Sequence, residues 1–185
     1  MREILARWHA DHVNFSNLLH LLDGQLALFH DAASPDYDLM LDIMYYMTHY
    51  SDVVHHPKED LVFAKVRQRD PATAPTVDAL TAQHRHLKQA GEALAGAIEA
   101  VVNGSVSSRA HVEARARSYT AEMRSHMGTE EATVLPAAAR LLQDDDWMAV
   151  EHAIAHVDDP LFGSSAQARY ASLRREIARH AATTR

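Results

Sequence analysis

Cysteine is absent from the 185-residue chain. That excludes disulfides, thiolate zinc sites, iron–sulfur clusters and a cysteine nucleophile. Glycine and proline number only six each, while Ala, Leu, Glu, Arg and Met are frequent, the balance of a helical protein. No apolar run is long enough to span a bilayer, and Met1-Arg2-Glu3-Ile4 does not read as a secretory leader. A cytoplasmic chain without membrane attachment is expected. Positive charge is scarce as well: 18 Lys+Arg stand against 25 Asp+Glu, for a formal net charge of −7, with no basic cluster. Nucleic-acid binding is therefore not expected. The length suits one domain with a sizeable core. Histidine, at fourteen residues, is the compositional anomaly.

The apolar periodicity predicts a first helix from about Arg2 to His30, with Trp8, His12, Phe15, Leu19, Leu22, Leu26 and Phe29 on one stripe. His12 takes a place where a plain core would have Leu; His9 flanks the stripe. After a loop over Ala32–Asp36, with a helix start at Ser34 or Asp36, a second helix is expected over about Asp36–Arg67. Helical steps back from His55 place Asp52, Thr48, Tyr45, Met44 and Leu41 inward; Pro57 predicts a kink. A third helix, about Thr76–Val102, would face inward with Leu80, His84, Leu87, Gly91, Leu94 and Ile98, and Asn103 or Gly104 would end it. A fourth, capped by Ser107 or Ser108 and reaching at least Val134, would face inward with Val112, Tyr119, Met123, His126, Glu130 and Thr133. Pro136 is expected to kink or end it. Asp144-Asp145-Asp146 opens a short helix through about His156, and a last helix is expected over about 166–181. The expected architecture is all-α: an up-down-up-down four-helix bundle over 1–142, with a C-terminal helical appendage over 143–185 packed on the same domain.

Two segments carry the chemistry. His55-His56-Pro57-Lys58-Glu59-Asp60 and His126-Met127-Gly128-Thr129-Glu130-Glu131 each set a histidine four residues before a glutamate. On a helix that spacing stacks an imidazole over a carboxylate, half of a site for iron, manganese or zinc. His12, His55, His84 and His126 lie 43, 29 and 42 residues apart, separations that place one histidine per antiparallel helix in a common layer. A lone core histidine is more often a satisfied polar residue than a ligand, and a lone His-x-x-x-Glu is usually a solvated surface pair. Their joint occurrence favours metal, because buried carboxylates without a counter-charge are costly. Glu131, Asp60, His56, His49, His111 and His180 read as surface residues, and Met44, Met47, Met123 and Met127 as packing.

The pattern resembles the hemerythrin-like (HHE cation-binding) family. The segments that carry the resemblance are Asp11-His12, His55 to Phe63, Gln83-His84 and His126 to Pro136, in order across about residues 1–142. The resemblance implies a non-haem di-iron centre, oxo- and carboxylate-bridged, with His12, His55, His84 and His126 as terminal ligands and Glu59 and Glu130 as bridges. Oxygen-carrying members have two histidines four apart on the third helix. Here Leu80 and Lys88 stand four residues either side of His84. Their fourth helix uses a more widely spaced Asp, where this chain has Glu130. The arrangement looks more like iron-centre repair proteins and bacterial stress-linked members, without the cysteine-bearing N-terminal segment of the former. With one histidine fewer, Tyr45, Tyr119, Glu122 and His9 become candidates for the second shell or for an optional ligand. The implied function is binding of, or reaction with, O2, NO or peroxide in oxygen or oxidative/nitrosative stress sensing or handling. The rivals are iron storage or sensing, and a Zn- or Mn-dependent hydrolase using the same ligands. Expected partners are a diatomic or peroxide ligand and at most a second copy of the chain, as monomer or homodimer.

Overall fold

An apolar stripe at helical spacing buries well only against other stripes, and the chain supplies four. The computed structural model describes residues 3–30, 33–104, 109–153, 157–164 and 167–183. Helix α1, Glu3–His30, buries Trp8, His12, Phe15, Leu19, Leu22 and Leu26; Phe29 lies outside the described side chains. Asp36 then caps the next helix, accepting the Leu39 N–H at 2.9 Å, while its own N–H donates to Gln25 Oε1. Of the two expected helix starts, Asp36 is the one used.

Helix α2 covers residues 37–69 without interruption, but its winding changes. Tyr37–Tyr46 and His56–Arg69 are α-helical, and Met47–His55 between them is π-helical. Helix α4, residues 109–141, repeats the device with π-helical Glu130–Val134 between Arg109–Thr129 and Leu135–Leu141. In both cases a proline follows closely, Pro57 and Pro136. A proline ring clashes with the carbonyl four residues earlier in an α-helix. Those carbonyls belong to Val53 and Ala132, inside the two widened stretches, where bonds of the i→i−5 kind, such as His56 N–H to Ser51 O and Leu135 N–H to Glu130 O, replace the tighter pattern. The disturbance expected at Pro57 is thus a change of winding, and the fourth helix continues past Pro136 to Leu141.

The extra residue per ring shifts which side chains face inward. Val134 is buried and Thr133 exposed, the reverse of straight helical counting. Upstream in α2 Leu39, Met40, Ile43, Met44, Tyr46, Met47, Tyr50, Ser51 and Asp52 are buried, so of the expected inward positions Met44 and Asp52 are buried while Leu41, Tyr45 and Thr48 turn toward the flank.

Helix α3, Ala74–Val102, follows a 3₁₀ turn over Pro71–Thr73 and buries all six expected positions. It ends at Asn103 with Gly104 at φ +73°, a left-handed conformation that glycine adopts without penalty. The expected caps at Ser107 and Ser108 lie outside the described residues. Gly91 marks the close approach of α3 to its neighbours: a Cβ there would sit 3.2 Å from Thr48 Cγ2 and 3.4 Å from Tyr119 Cε2.

Helices α1 and α3 each pack against both α2 and α4, closing the bundle. The apolar core is divided. One cluster holds Phe15, Leu19, Met44, Leu87, Leu94 and Met123; the other holds Trp8, Phe63, Val66, Leu80 and Leu135. Along each helix the polar residues of interest fall between the two. Burying each of these large side chains contributes about 1.5–3 kcal/mol, so the polar layer is held rigidly from both ends. Helix α5, Asp144–Ala153, adds Trp147 and Val150 to the second cluster, anchored by Arg69 on Asp146 at 2.7 Å. Helix α6, Ala171–Thr183, follows a 3₁₀ turn over Ala168–Tyr170, and Leu161, Tyr170 and Leu173 join the first cluster. His156 and the expected start of the last helix at Ala166 lie outside the described residues. Among the described residues there is no strand, and no helix is long and apolar enough to cross a membrane.

Candidate metal centre

The layer between the two core clusters contains His12 from α1, His55 and Glu59 from α2, His84 from α3, and His126 and Glu130 from α4. All six are at least 95% buried. The i, i+4 spacing works as geometry requires: His55 Nε2 is 3.2 Å from Glu59 Oε1, and His126 Nε2 is 3.0 Å from Glu130 Oε1. The other two histidines reach across the bundle. His12 Nε2 lies 3.4 Å from both Glu59 Oε1 and Glu130 Oε2, and His84 Nε2 lies 3.2 Å from Glu130 Oε1 and 3.7 Å from Glu59 Oε2. Each carboxylate therefore stands among imidazoles from three helices.

The opposite nitrogen of each ring is held from behind. Nδ1–H of His55 donates to Asp11 Oδ2 at 2.9 Å, that of His12 to Glu131 Oε1 at 2.8 Å, that of His84 to Asp60 Oδ1 at 3.0 Å, and that of His126 to Gln83 Oε1 at 3.0 Å. Carboxylates and the amide oxygen only accept, so Nδ1 carries a proton in every ring, and Nε2 is the nitrogen that faces the carboxylates. Aromatic rings fix the imidazoles further: Phe15 meets His55 edge-on at 5.0 Å, and Phe63 stacks on His84 at 5.7 Å.

Three residues read as surface take part here, Asp60 and Glu131 while remaining partly exposed and His56 as a buried ring. Asp60 and Glu131 are acceptors for His84 and His12. Each follows directly on a motif glutamate, so a turn of about 100° carries it from the inside to the back of a neighbouring histidine. His56 is also buried, 3% exposed, and stacks on His84 with centroids 4.2 Å apart. Its Nε2 is 3.2 Å from Ser51 Oγ and its Nδ1 is 3.2 Å from Asp52 Oδ1. Ser51 and Asp52 lie in the π-helical stretch, which is why simple counting put this ring outside.

The suggested second-shell residues scatter. His9 donates to the same Glu131 oxygen as His12, at 3.0 Å, so it stands one bond behind the centre. Tyr45 stacks on His49 at 3.7 Å beneath the Arg169 guanidinium, away from the layer. Glu122 pairs with exposed His86 at 2.8 Å and accepts from Ser118. Tyr119 is fully buried near Gly91, and its hydroxyl has no hydrogen-bond partner among the described residues. Asp11, Asp60, Gln83 and Glu131 are the residues found behind the rings instead.

Electrostatics follow from this packing. Burial alone would lower the His55 pKa, but the Glu59 charge and the Asp11 acceptor raise it to about 10. His84 behaves alike, burial being outweighed by Asp60 and Glu130, and rises to about 9. Burial would raise Glu59, yet His55 and His12 hold it well below the usual carboxylate range. Burial and the neighbouring His84 keep His56 neutral.

Whether a cation fits is answered by what remains unpaired. Both Glu59 oxygens, Glu130 Oε2 and His126 Nε2 are buried without a hydrogen-bond partner among the described residues. Such groups are normally satisfied, and leaving one unmade costs about 1–3 kcal/mol. Nitrogen and oxygen donors converge in the groups His12/His55/Glu59 and Glu59/His84/Glu130, with donor atoms within 4.8 Å of one another and Glu59 common to both. His56, His84 and His126 form a third such group. An imidazole–carboxylate set without thiolate suits a first-row transition metal.

Comparison with curated proteins and with solved structures returns no match. The family model of the hemerythrin HHE cation binding domain matches residues 3–138, the segment that contains every residue of the polar layer. The chain belongs to the hemerythrin HHE cation-binding family, a family of metal-binding helical bundles.

Proposed function

We propose that the layer holds two iron ions, with Glu59 and Glu130 bridging them and His12, His55, His84 and His126 as terminal ligands, and that the protein binds or reacts with O2, NO or peroxide. The observation that carries this reading is the shared carboxylate. Glu59 belongs to two donor groups at once, and both its oxygens lack any other partner among the described residues. Two irons held there would cycle between ferrous and ferric states and offer an open position to a diatomic or peroxide ligand.

The protein's own residues make three contributions. Asp11, Asp60, Gln83 and Glu131 fix the imidazole planes through Nδ1. The two apolar clusters keep bulk water from the layer, which strengthens every electrostatic interaction inside it. Glu59, held well below the usual carboxylate range by His55 and His12, supplies negative charge that favours cation over proton occupancy near neutrality. Such a centre suits oxygen or oxidative/nitrosative stress sensing or handling.

The test is to mix ferrous-loaded protein with O2, NO and H2O2 in turn and follow its absorption by stopped flow. A rapid spectral change with at least one of them, absent from zinc-loaded protein, is the expected result. Reversible iron uptake with no spectral response to any of the three would replace this reading with iron storage or sensing.

A further inference from the structure

A groove of about 480 Å³ lies on the surface where α1 meets α4, with His9, His12, Val13, Gly128 and Glu131 in its lining. It reaches the metal layer at His12. Nitrogen and oxygen donors follow one another along it from solvent inward. His9 donates from Nδ1 to Glu131 Oε1 at 3.0 Å, and His12 Nδ1 donates to the same oxygen at 2.8 Å. His12 Nε2 then stands 3.4 Å from Glu59 Oε1 and from Glu130 Oε2. Side-chain exposure falls along this path, from 59% at His9 through 35% at Glu131 and 5% at His12 to zero at the two inner glutamates.

Two donor atoms at the outer end are unused. A neutral imidazole that donates through Nδ1 keeps the lone pair of Nε2, and His9 is such a ring. Both imidazoles use Glu131 Oε1, and Oε2 makes no hydrogen bond among the described residues. The charge of the groove also suits a cation. Arg124 in the lining is paired with Asp23 at 2.7 Å, which leaves Glu131 to set the sign of the local field. A second cavity, of about 370 Å³, reaches His55 beside Asp11, but there Arg7 and Lys58 stand among the carboxylates of the lining and oppose an incoming cation.

We infer that the groove between α1 and α4 is the entry port of the metal layer, where a hydrated divalent cation docks on His9 Nε2 and Glu131 Oε2 before it passes inward beside His12. Two protein donors, with water in the remaining positions, hold such a cation loosely. The six side chains of the layer hold it more tightly, so transfer runs inward. The inference rests on the reading that the layer holds iron, and not on what that iron does with O2, NO or peroxide. Gly128 offers a way to obstruct the port. A Cβ there would meet nothing within 4 Å, so a larger side chain fits without collision and occupies the groove.

The experiment mixes the metal-free full chain with ferrous ion anaerobically, removes unbound metal with a chelator at set times and counts the bound iron. His9→Ala and Gly128→Leu should each slow uptake about tenfold, the lower end of the gain a focusing cleft gives an association rate. Final iron per chain and circular dichroism should match the native chain. Asp158→Asn, in the cavity beside His55, should load at the native rate. So should His86→Ala, which removes an exposed histidine paired with Glu122. Native-rate loading by His9→Ala or Gly128→Leu, or equal slowing by Asp158→Asn or His86→Ala, would overturn the port and leave the metal layer standing. A native chain that takes up no iron at all would overturn both.

Discussion

Asp11 Oδ2 stands 2.9 Å from His55 Nδ1, while Nε2 of the same ring stands 3.2 Å from Glu59 Oε1. One imidazole thus relays the position of a carboxylate on α1 to a buried carboxylate on α2. Removing such a support usually lowers metal affinity 10–100-fold, written as about one to two logarithmic units. Asp11→Ala should therefore retain its fold and lose metal to a competing chelator at that much lower chelator concentration. Unchanged competition would show that Asp11 does not orient a ligand.

Metal uptake should release protons. In the metal-free protein His55 and His84 are raised to about 10 and about 9, so both carry a proton at pH 7 that a metal must displace. Calorimetry of metal binding in buffers of different ionisation enthalpy should report a net release. The stability of metal-free protein follows the same linkage. These raised histidines contribute fully below the unfolded value of 6.5, and that contribution disappears as pH rises through about 9 to 10. Metal-loaded protein should show the opposite trend on acidification, as its ligands are reprotonated. No proton release at pH 7 would contradict the electrostatic description of the layer.

Metal should also stabilise the fold. A ligand present at a thousand times its dissociation constant adds about 4 kcal/mol, which for a chain of this size corresponds to a rise of roughly 8–16 °C in Tm. Thermal melts of chelator-treated and reconstituted protein measure this directly. Coincident melts would mean that the buried carboxylates do not hold a cation.

Tyr119 provides a sharper check on the limits of the ligand set. Its buried hydroxyl has no hydrogen-bond partner among the described residues, and burial raises its pKa well above the usual value. Tyr119→Phe should leave stability unchanged or raise it by up to about 1 kcal/mol, with the visible spectrum of the loaded protein preserved. A changed spectrum would make Tyr119 a ligand after all.

The inward residues of α1 and α3 were readable from the sequence because both helices keep α-helical winding throughout, so three- and four-residue steps stay in phase. The motif spacing was readable for the same local reason, since a step of four spans only one turn. Phase was lost across Met47–His55 and Glu130–Val134, where wider rings carry Tyr45 and Thr133 off the inner face and bring Ser51, His56 and Val134 onto it. Pro57 and Pro136 were the available signals, read as kinks. The supports behind the rings were hidden for another reason. Asp60 and Glu131 each act on a histidine of a different helix, and no periodicity within one helix reveals that. Asp11 and Gln83 immediately precede His12 and His84, yet serve His55 and His126.

The most direct test of the di-metal reading is the metal content per chain of purified protein and of His55→Ala, with absorption spectra recorded in air. The account predicts about two irons per native chain with strong near-ultraviolet absorption. It predicts loss of both the metal and the absorption in His55→Ala, with helicity retained. A native chain that holds no iron after anaerobic ferrous reconstitution, or a variant that binds it equally well, would contradict it.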